Sequence, residues 1–167
     1  MLDILTDQIN VVAPIFGLSA NGDQIFDILY VTPPTEEQQM QVAAIVAGWP
    51  LEKAKLLKLQ QLDAAWAQIV KTGWATPAGW HMGLDISDVT LLTGAFMLAK
   101  EAANIGLNAP AHIIDTVGVT HELSLAQLTE LMLVYGQTRS ALSGAYAATR
   151  QAITGAATQE ELAAISV

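Results

Sequence analysis

The chain has 167 residues, of which 52% are hydrophobic and 14% charged, and it contains no cysteine. This length and apolar content argue against intrinsic disorder, and the lack of cysteine excludes disulfides, thiolate metal sites and a cysteine nucleophile. The net charge of −9 is uneven, because residues 1–50 carry six acidic side chains and no Lys or Arg, which argues against binding to nucleic acid or an anionic membrane.

The acidity is explained equally well by solubility alone. The longest apolar stretch, residues 89–99, is well short of the roughly 20 residues that span a bilayer, so it predicts a buried helix. The first seven residues carry Asp3 and Asp7 and no basic residue, so no secretory leader is expected.

Residues 1–47 are predicted to form a small β-rich module. Two stretches, 9–13 and 25–31, are rich in the β-branched and aromatic residues of strands, and Asn21-Gly22 between them is typical of a tight hairpin turn. Because strands this short cannot cover both of their own faces, we expect the module to lie on another surface.

A short helix is predicted to link this module to the rest of the chain. Thr35 and Gln38 form a capping box at its start, and it is expected to end near residue 47. Gly48 and Pro50 are predicted to interrupt the helical path, with Pro50 in the first turn of the next helix.

Residues 48–167 are predicted to form a mainly α-helical domain of long antiparallel helices with short β-hairpins, so the expected fold class is α+β. Helices are expected at 50–72, 86–105, 125–154 and from 159, each with a polar cap or a glycine stop. A loop or tight hairpin is expected at 74–80, and a second hairpin at 112–123. The apolar helix faces comprise Leu56, Leu59, Leu62, Trp66, Ile69 and Gly73, then Leu91, Leu92, Ala95, Leu98, Ala99 and Ala102, and then Leu125, Leu128, Leu131, Met132, Tyr135, Leu142 and Tyr146.

Glycines inside the last long helix are a separate signal. Gly136 and Gly144 each cost about 1 kcal/mol relative to alanine within a helix. Such residues usually permit close approach of a second helix, so we expect close packing there.

The sequence gives only weak signals for catalytic or metal-binding sites. His121-Glu122 begins like a zinc-protease motif, but Leu125 stands where the second histidine is required. His112, His121 and Asp115 could supply ligands across their hairpin, although exposed histidines without such a role are the simpler reading. We therefore predict no enzyme, no metal and no cofactor.

Two further groups have simpler structural readings. Asp85 and Asp88 are better explained as helix caps than as a glycosidase pair. Trp74 and Trp80 could stack on sugars or peptides, but residues of this kind that flank a Pro-Gly loop more often lie in a core or an interface.

An ordered series of motifs resembles one known family. The motifs are WPLEKAK at 49–55, LDAAW at 62–66, GWATP at 73–77, DVTLLTG at 88–94, IDT at 114–116, LAQL at 125–128, LMLVYG at 131–136 and TQEELAAI at 158–165. They resemble an uncharacterised C-terminal domain found in proteins of tailed bacteriophages that are associated with tail fibres. The resemblance covers residues 49–165 and does not extend to residues 1–47.

The resemblance implies a chaperone for tail-fibre assembly, which would act in the host bacterial cytoplasm or remain in the virion. We expect its partners to be the phage tail-fibre protein and further copies of itself in a homotrimer. The alternative is a permanent virion protein, such as an adaptor between fibre and baseplate. The expected client-binding residues of the 1–47 module are Ile25, Phe26, Ile28 and Tyr30. The expected oligomerisation residues of the 48–167 domain are Leu128, Leu131, Met132, Tyr135, Leu142 and Tyr146.

Overall fold

The structure is a computed structural model, and it describes residues 1–21 and 24–167, except for the side chain of Phe26. Helices hold 63% of the described residues and strands 15%. These proportions confirm an α+β fold with long helices and short hairpins. The helices are α1 (Leu2–Val12), α2 (Glu36–Thr72), α3 (Ile86–Asn104), α4 (Leu125–Gly155) and α5 (Gln159–Ala164). The strands are β1 (Ile15–Asn21), β2 (Gln24–Tyr30), β3 (Trp74–Ala75), β4 (His81–Met82), β5 (Ala111–Ile114) and β6 (Thr120–Leu123).

Spatial contacts between residues divide the chain into two compact units. The first unit contains Met1–Leu59 and Ile153–Ser166, and the second contains Gln60–Ala152 and Val167. Each unit therefore takes part of α2 and part of α4. The predicted division into a module of residues 1–47 and a domain of residues 48–167 stays a prediction.

The strand predicted at residues 9–13 is wrong, because helix α1 covers most of this stretch. Leu5 and Ile9 lie one helical turn apart, and both are fully buried in the core of the first unit. This helical spacing outweighs the strand preference of the β-branched residues that follow Ile9. The helix ends at Val12 because Ala13 precedes proline and takes an extended conformation.

The predicted hairpin of the first unit is present, and its second strand, β2, matches the predicted stretch 25–31. Strands β1 and β2 pair antiparallel, with Leu18 opposite Ile28 and Asn21 opposite Gln24. The register shifts at two irregularities, one of them at Phe16, between the paired residues Ile15 and Gly17. The turn predicted at Asn21-Gly22 falls partly outside the described residues, since Gly22 is not among them.

Helix α2 runs from Glu36 to Thr72 without the predicted interruption. The capping box at its start is confirmed, because Gln38 N donates to Thr35 Oγ1 and Thr35 N donates to the Gln38 side chain. Pro50 lies inside the helix, so the break predicted there is wrong. The physical reason is Trp49, which is 1% exposed and fixes the helix to the core on both sides of the proline.

The end of the chain joins the first unit, which the sequence did not indicate. Leu162 of α5 is buried, and its carbonyl accepts a hydrogen bond of 2.7 Å from Lys58 Nζ. Lys55 Nζ donates to the carbonyl of Thr154. The predicted cap of α5 is confirmed, since the Thr158 side chain accepts from Glu161 N.

The second unit has its own core, and its local signals agree with the sequence. The predicted caps of α3 and α4 are confirmed by hydrogen bonds within Asp85–Asp88 and between Ser124 and Gln127. Gly73 and Gly106 end their helices with positive φ angles, as expected. The core comprises Met82, Leu84, Leu92, Ala99, Ala111, Ile113, Leu128, Leu131 and Tyr135.

The predicted apolar face of α3 is only partly buried. Leu92 and Ala99 are buried, whereas Leu91 and Leu98 are largely exposed. A Cβ atom built at Gly136 or Gly144 meets no atom within 4 Å, so the close packing expected at these glycines is not made within the described part of the chain.

Because α2 continues through Pro50, we expect replacement of this proline to stabilise the protein. Pro50→Ala restores a backbone donor inside the helix and removes the clash with the preceding turn, so the free energy of unfolding should rise by about 1–3 kcal/mol. Urea unfolding followed by circular dichroism measures this change.

Gly48→Ala is the matched control for this prediction. Its Cβ has open space and should add about 1 kcal/mol if the helix is continuous. A neutral or destabilising effect of both replacements would show that the helix stops at residues 48–50.

Candidate functional site

An open groove in the first unit contains the predicted client-binding residues whose side chains are described. Ile25, Ile28 and Tyr30 of β2 are half-buried against the core of this unit and line the groove. The groove has a volume of about 400 Å³. The side chain of Phe26, the fourth predicted residue, lies outside the described residues.

The opposite wall of the groove comes from α2, and sequence reasoning missed it. Val42 and Ala43 are adjacent, and Val46 lies one turn further along the helix face that meets β2, with Gln39 one turn before them. Their spacing of three and four was the available signal. It was missed because the segment was predicted to be a short linking helix and was given no role in binding.

The groove is acidic at its rim and apolar inside. Asp27 lies among its lining residues and is exposed. Residues 1–50 contain six acidic residues and no Lys or Arg. A partner segment with apolar side chains for the groove and neutral or basic side chains near Asp27 fits such a surface.

The β1–β2 hairpin also exposes apolar side chains and strand edges. It forms a sheet of two strands within the described part of the chain, so each strand has one edge without a strand partner there. Phe16 is 73% exposed, and Leu29 and Val31 are exposed as well. Unpaired edges beside apolar side chains are the surfaces to which another strand can be added.

The predicted oligomerisation residues lie mainly in the core of the second unit. Leu128, Leu131 and Tyr135 are buried there, and Met132 and Leu142 pack against them. The Tyr135 hydroxyl donates to the carbonyl of Gly83, and burial raises the pKa of this tyrosine. These side chains leave little surface for a second copy, and the predicted homotrimer stays a prediction.

Tyr146 lies on a different, more exposed part of α4. Its ring contacts Trp66 at 5.2 Å between centroids, and its hydroxyl bonds the Asp63 carboxylate at 2.5 Å. Arg150 also donates to Asp63. Tyr146 therefore fastens α4 to α2 within the second unit.

The histidines are not arranged as a metal site. His112 and His121 do not face each other, because His112 is opposite Glu122 and His121 is opposite Ile113. Among the described residues, no three His, Asp or Glu side chains are placed to hold an ion.

His121 instead organises its hairpin. Its Nε2 bonds Asp115 Oδ2 at 2.9 Å, and its ring stacks on Trp80 at 4.3 Å. Asp115 Oδ1 accepts backbone hydrogen bonds from Val117 and Val119 across the turn. The hydrogen bond from His121 lowers the pKa of Asp115 below its usual value, and the backbone hydrogen bonds from Val117 and Val119 add to this effect.

The remaining candidates also have structural roles. Asp85 caps α3, and its hydrogen bond from Ser87 lowers the pKa of the carboxyl, whereas burial raises the pKa of Asp88. Trp74 and Trp80 pack against the core of the second unit, as expected. The prediction that the chain is not an enzyme stays a prediction.

Comparisons with known proteins add no functional information. Scans against protein-family models, curated proteins and solved structures found no match. Among the described residues, no helix combines the length and apolar character needed to cross a membrane. The candidate site therefore rests on the geometry of the groove and hairpin of the first unit.

The Asp115 network predicts an acid-dependent loss of stability. A carboxylate with a lowered pKa stabilises the fold fully above its ordinary value of 3.8, and this contribution is lost as the pH falls through the lowered pKa. Asp115→Asn should lower Tm at pH 7, and the difference from the wild type should shrink below about pH 4. Thermal unfolding between pH 7 and pH 2 measures it.

Glu122→Gln is the control, because it removes the same charge from the exposed side of the same hairpin. Its effect on Tm at pH 7 should be small. A Tm difference for Asp115→Asn that stays constant down to pH 2 would contradict the role given to this carboxylate.

Proposed function

We propose that the chain is a non-catalytic assembly factor that binds an unfinished client chain through the groove and hairpin of the first unit. The observation that carries this proposal is the open apolar groove between β2 and α2, with Asp27 at its rim. A groove of this kind accepts apolar side chains from an extended segment. Binding requires no chemical step, so neither a cofactor nor ATP enters the proposal.

The strand edges of the hairpin support the same role. A client strand added to β2 or β1 would gain main-chain hydrogen bonds, and its side chains would alternate between the groove and solvent. Such a contact suits a client that has not yet paired its own strands. It also protects that client from aggregation through the same edges.

The proposed client is the tail-fibre protein of a tailed bacteriophage. This part of the proposal is supported by the resemblance of residues 49–165 to the tail-fibre-associated family. Intertwined β-structured fibres fold slowly and expose apolar surface and strand edges during assembly. A factor that covers those surfaces until the fibre is complete would raise the yield of the correctly assembled product.

We expect a substitution that blocks the groove to reduce client binding. Ala43 lines the groove and is exposed, so Ala43→Gln places a longer polar side chain in it without disturbing the core. Co-expression with the tail-fibre gene of the same phage should then yield at least tenfold less soluble fibre complex, because apolar contacts are lost.

Ala44→Gln is the matched control, since Ala44 is exposed on the same helix but does not line the groove. It should retain wild-type yield. Equal yields for both variants would refute groove binding. Fibre that assembles equally well without this protein would refute the assembly role.

The alternative role as a permanent virion protein is tested on purified particles. An assembly factor should be absent from them by mass spectrometry, whereas a fibre–baseplate adaptor should be present at a fixed ratio to the fibre. The alternative uses the same groove for a static contact, so only the location of the protein separates the two roles.

A further inference from the structure

The second unit contains a small pocket between the loop at residues 76–80, the end of β6 and the first two turns of α4. Thr76 and Leu131 are its buried lining residues, whereas Trp80 and Leu123 are half-buried. We call it the Trp80 pocket. Its volume is about 270 Å³. Sites for drug-sized molecules have volumes of roughly 300–1,000 Å³, so this pocket suits one side chain or a molecule of similar size.

The hydroxyl of Thr76 indicates that the pocket takes a polar ligand. Thr76 is 5% exposed and lines the pocket, and its Oγ1 has no hydrogen-bond partner among the described residues. A buried hydroxyl without a partner destabilises a folded chain, and a valine of the same shape would avoid this penalty. A ligand that bonds to Oγ1 would remove the penalty.

Trp80 gives the pocket a rigid aromatic wall. His121 stacks on its ring, with 4.3 Å between the ring centroids and 11° between the ring planes. His121 is itself bonded to Asp115 and is not among the described residues that line the pocket. The pocket therefore meets a part of the indole that His121 leaves uncovered. An indole held in this way is suited to stacking with a cation.

The polar atoms around the pocket favour a cation that donates hydrogen bonds. Glu130 lines the pocket, is exposed, and makes no ion pair or hydrogen bond with the described residues. The side-chain oxygen of Gln127 already accepts hydrogen bonds from Ser124. No Lys or Arg is among the described lining residues, and the whole chain has a net charge of −9. The pocket therefore attracts positive charge.

We propose that the Trp80 pocket binds the guanidinium group of an arginine side chain carried by a partner chain. The guanidinium plane stacks on Trp80, and its N–H groups donate to the Glu130 carboxylate and the Thr76 hydroxyl. The aliphatic part of the arginine lies against Pro77 and Leu123. A guanidinium has several donors and no acceptor, which matches a carboxylate and a hydroxyl without partners.

All the described lining residues of the pocket belong to the second unit. The proposal therefore depends neither on the groove of the first unit nor on the identity of the client.

An NMR titration of the full-length chain with N-acetyl-arginine methylamide tests this proposal. The indole N–H signal of Trp80, identified by its absence from Trp80→Phe, should shift with a Kd on the order of 1–10 mM, as expected for a single side chain. The citrulline analogue has nearly the same shape without the charge, and it should bind at least about fivefold more weakly. Tighter binding of free arginine than of the blocked derivative would overturn the assignment to a partner chain.

Glu130→Gln should weaken binding of the arginine derivative by roughly threefold to fivefold, because the ion pair is lost. Glu122→Gln is the matched control, since it removes the same charge from an exposed residue next to Leu123 that is not among the lining residues. The control should bind as the wild type does. Equal losses in both variants would show that only the overall charge matters, and this would overturn the proposed site.

Thr76→Val separates binding from folding. It removes the unpartnered buried hydroxyl and keeps the shape of the side chain, so Tm should stay unchanged or rise, while binding should weaken by about threefold or more. A lower Tm with unchanged binding would show that the hydroxyl serves the fold and not the ligand.

Methyl β-glucoside tests for a different ligand, because sugars also stack on tryptophan. It should leave the Trp80 signal unchanged. A shift caused by the glucoside and not by the arginine derivative would identify a sugar site, and it would overturn the proposal. The absence of a shift with either compound would overturn it as well.

Discussion

The burial of Trp49 is the constraint on which the first unit depends. Its ring is 1% exposed and lies in one core with Leu5, Ile9 and Val42. Burying a tryptophan contributes roughly 4–6 kcal/mol at about 25 cal/mol per Å². This exceeds the roughly 3 kcal/mol that a proline costs inside a helix, so α2 continues through Pro50. The indole N–H has no hydrogen-bond partner among the described residues, which reduces that margin.

The position of the groove follows from this continuous helix. Val42 and Val46 precede Trp49 by two turns and one turn, so the residue that fixes α2 in the core also fixes the helix face opposite β2. A helix broken at residue 48 would leave that face free to rotate. The groove is therefore a consequence of a buried tryptophan that lies outside it.

Local signals made the starts of four helices predictable from the sequence. Caps at Thr35, Asp85, Ser124 and Thr158 each depend on residues within three positions, so nothing distant could overrule them. The sequence did not predict the helix at residues 2–12 or the continuation of α2 through Pro50, because burial in the tertiary structure determines both. The docking of α5 onto the first unit involves contacts about 100 residues apart, such as Lys58 with Leu162, and no local pattern encodes it.

The candidate surfaces show why a stripe of apolar residues does not identify its partner. Helix α3 has Leu92 and Ala99 on one face and Leu91 and Leu98 on the next, and both pairs share the same spacing of seven. Periodicity predicts that each face is buried, but it does not distinguish the chain's own core from another molecule. The hairpins and α4 cover one face within the second unit. The other face, with Leu91 and Leu98, is exposed within the described part of the chain, so one helix carries the same apolar spacing on a buried and on an exposed face.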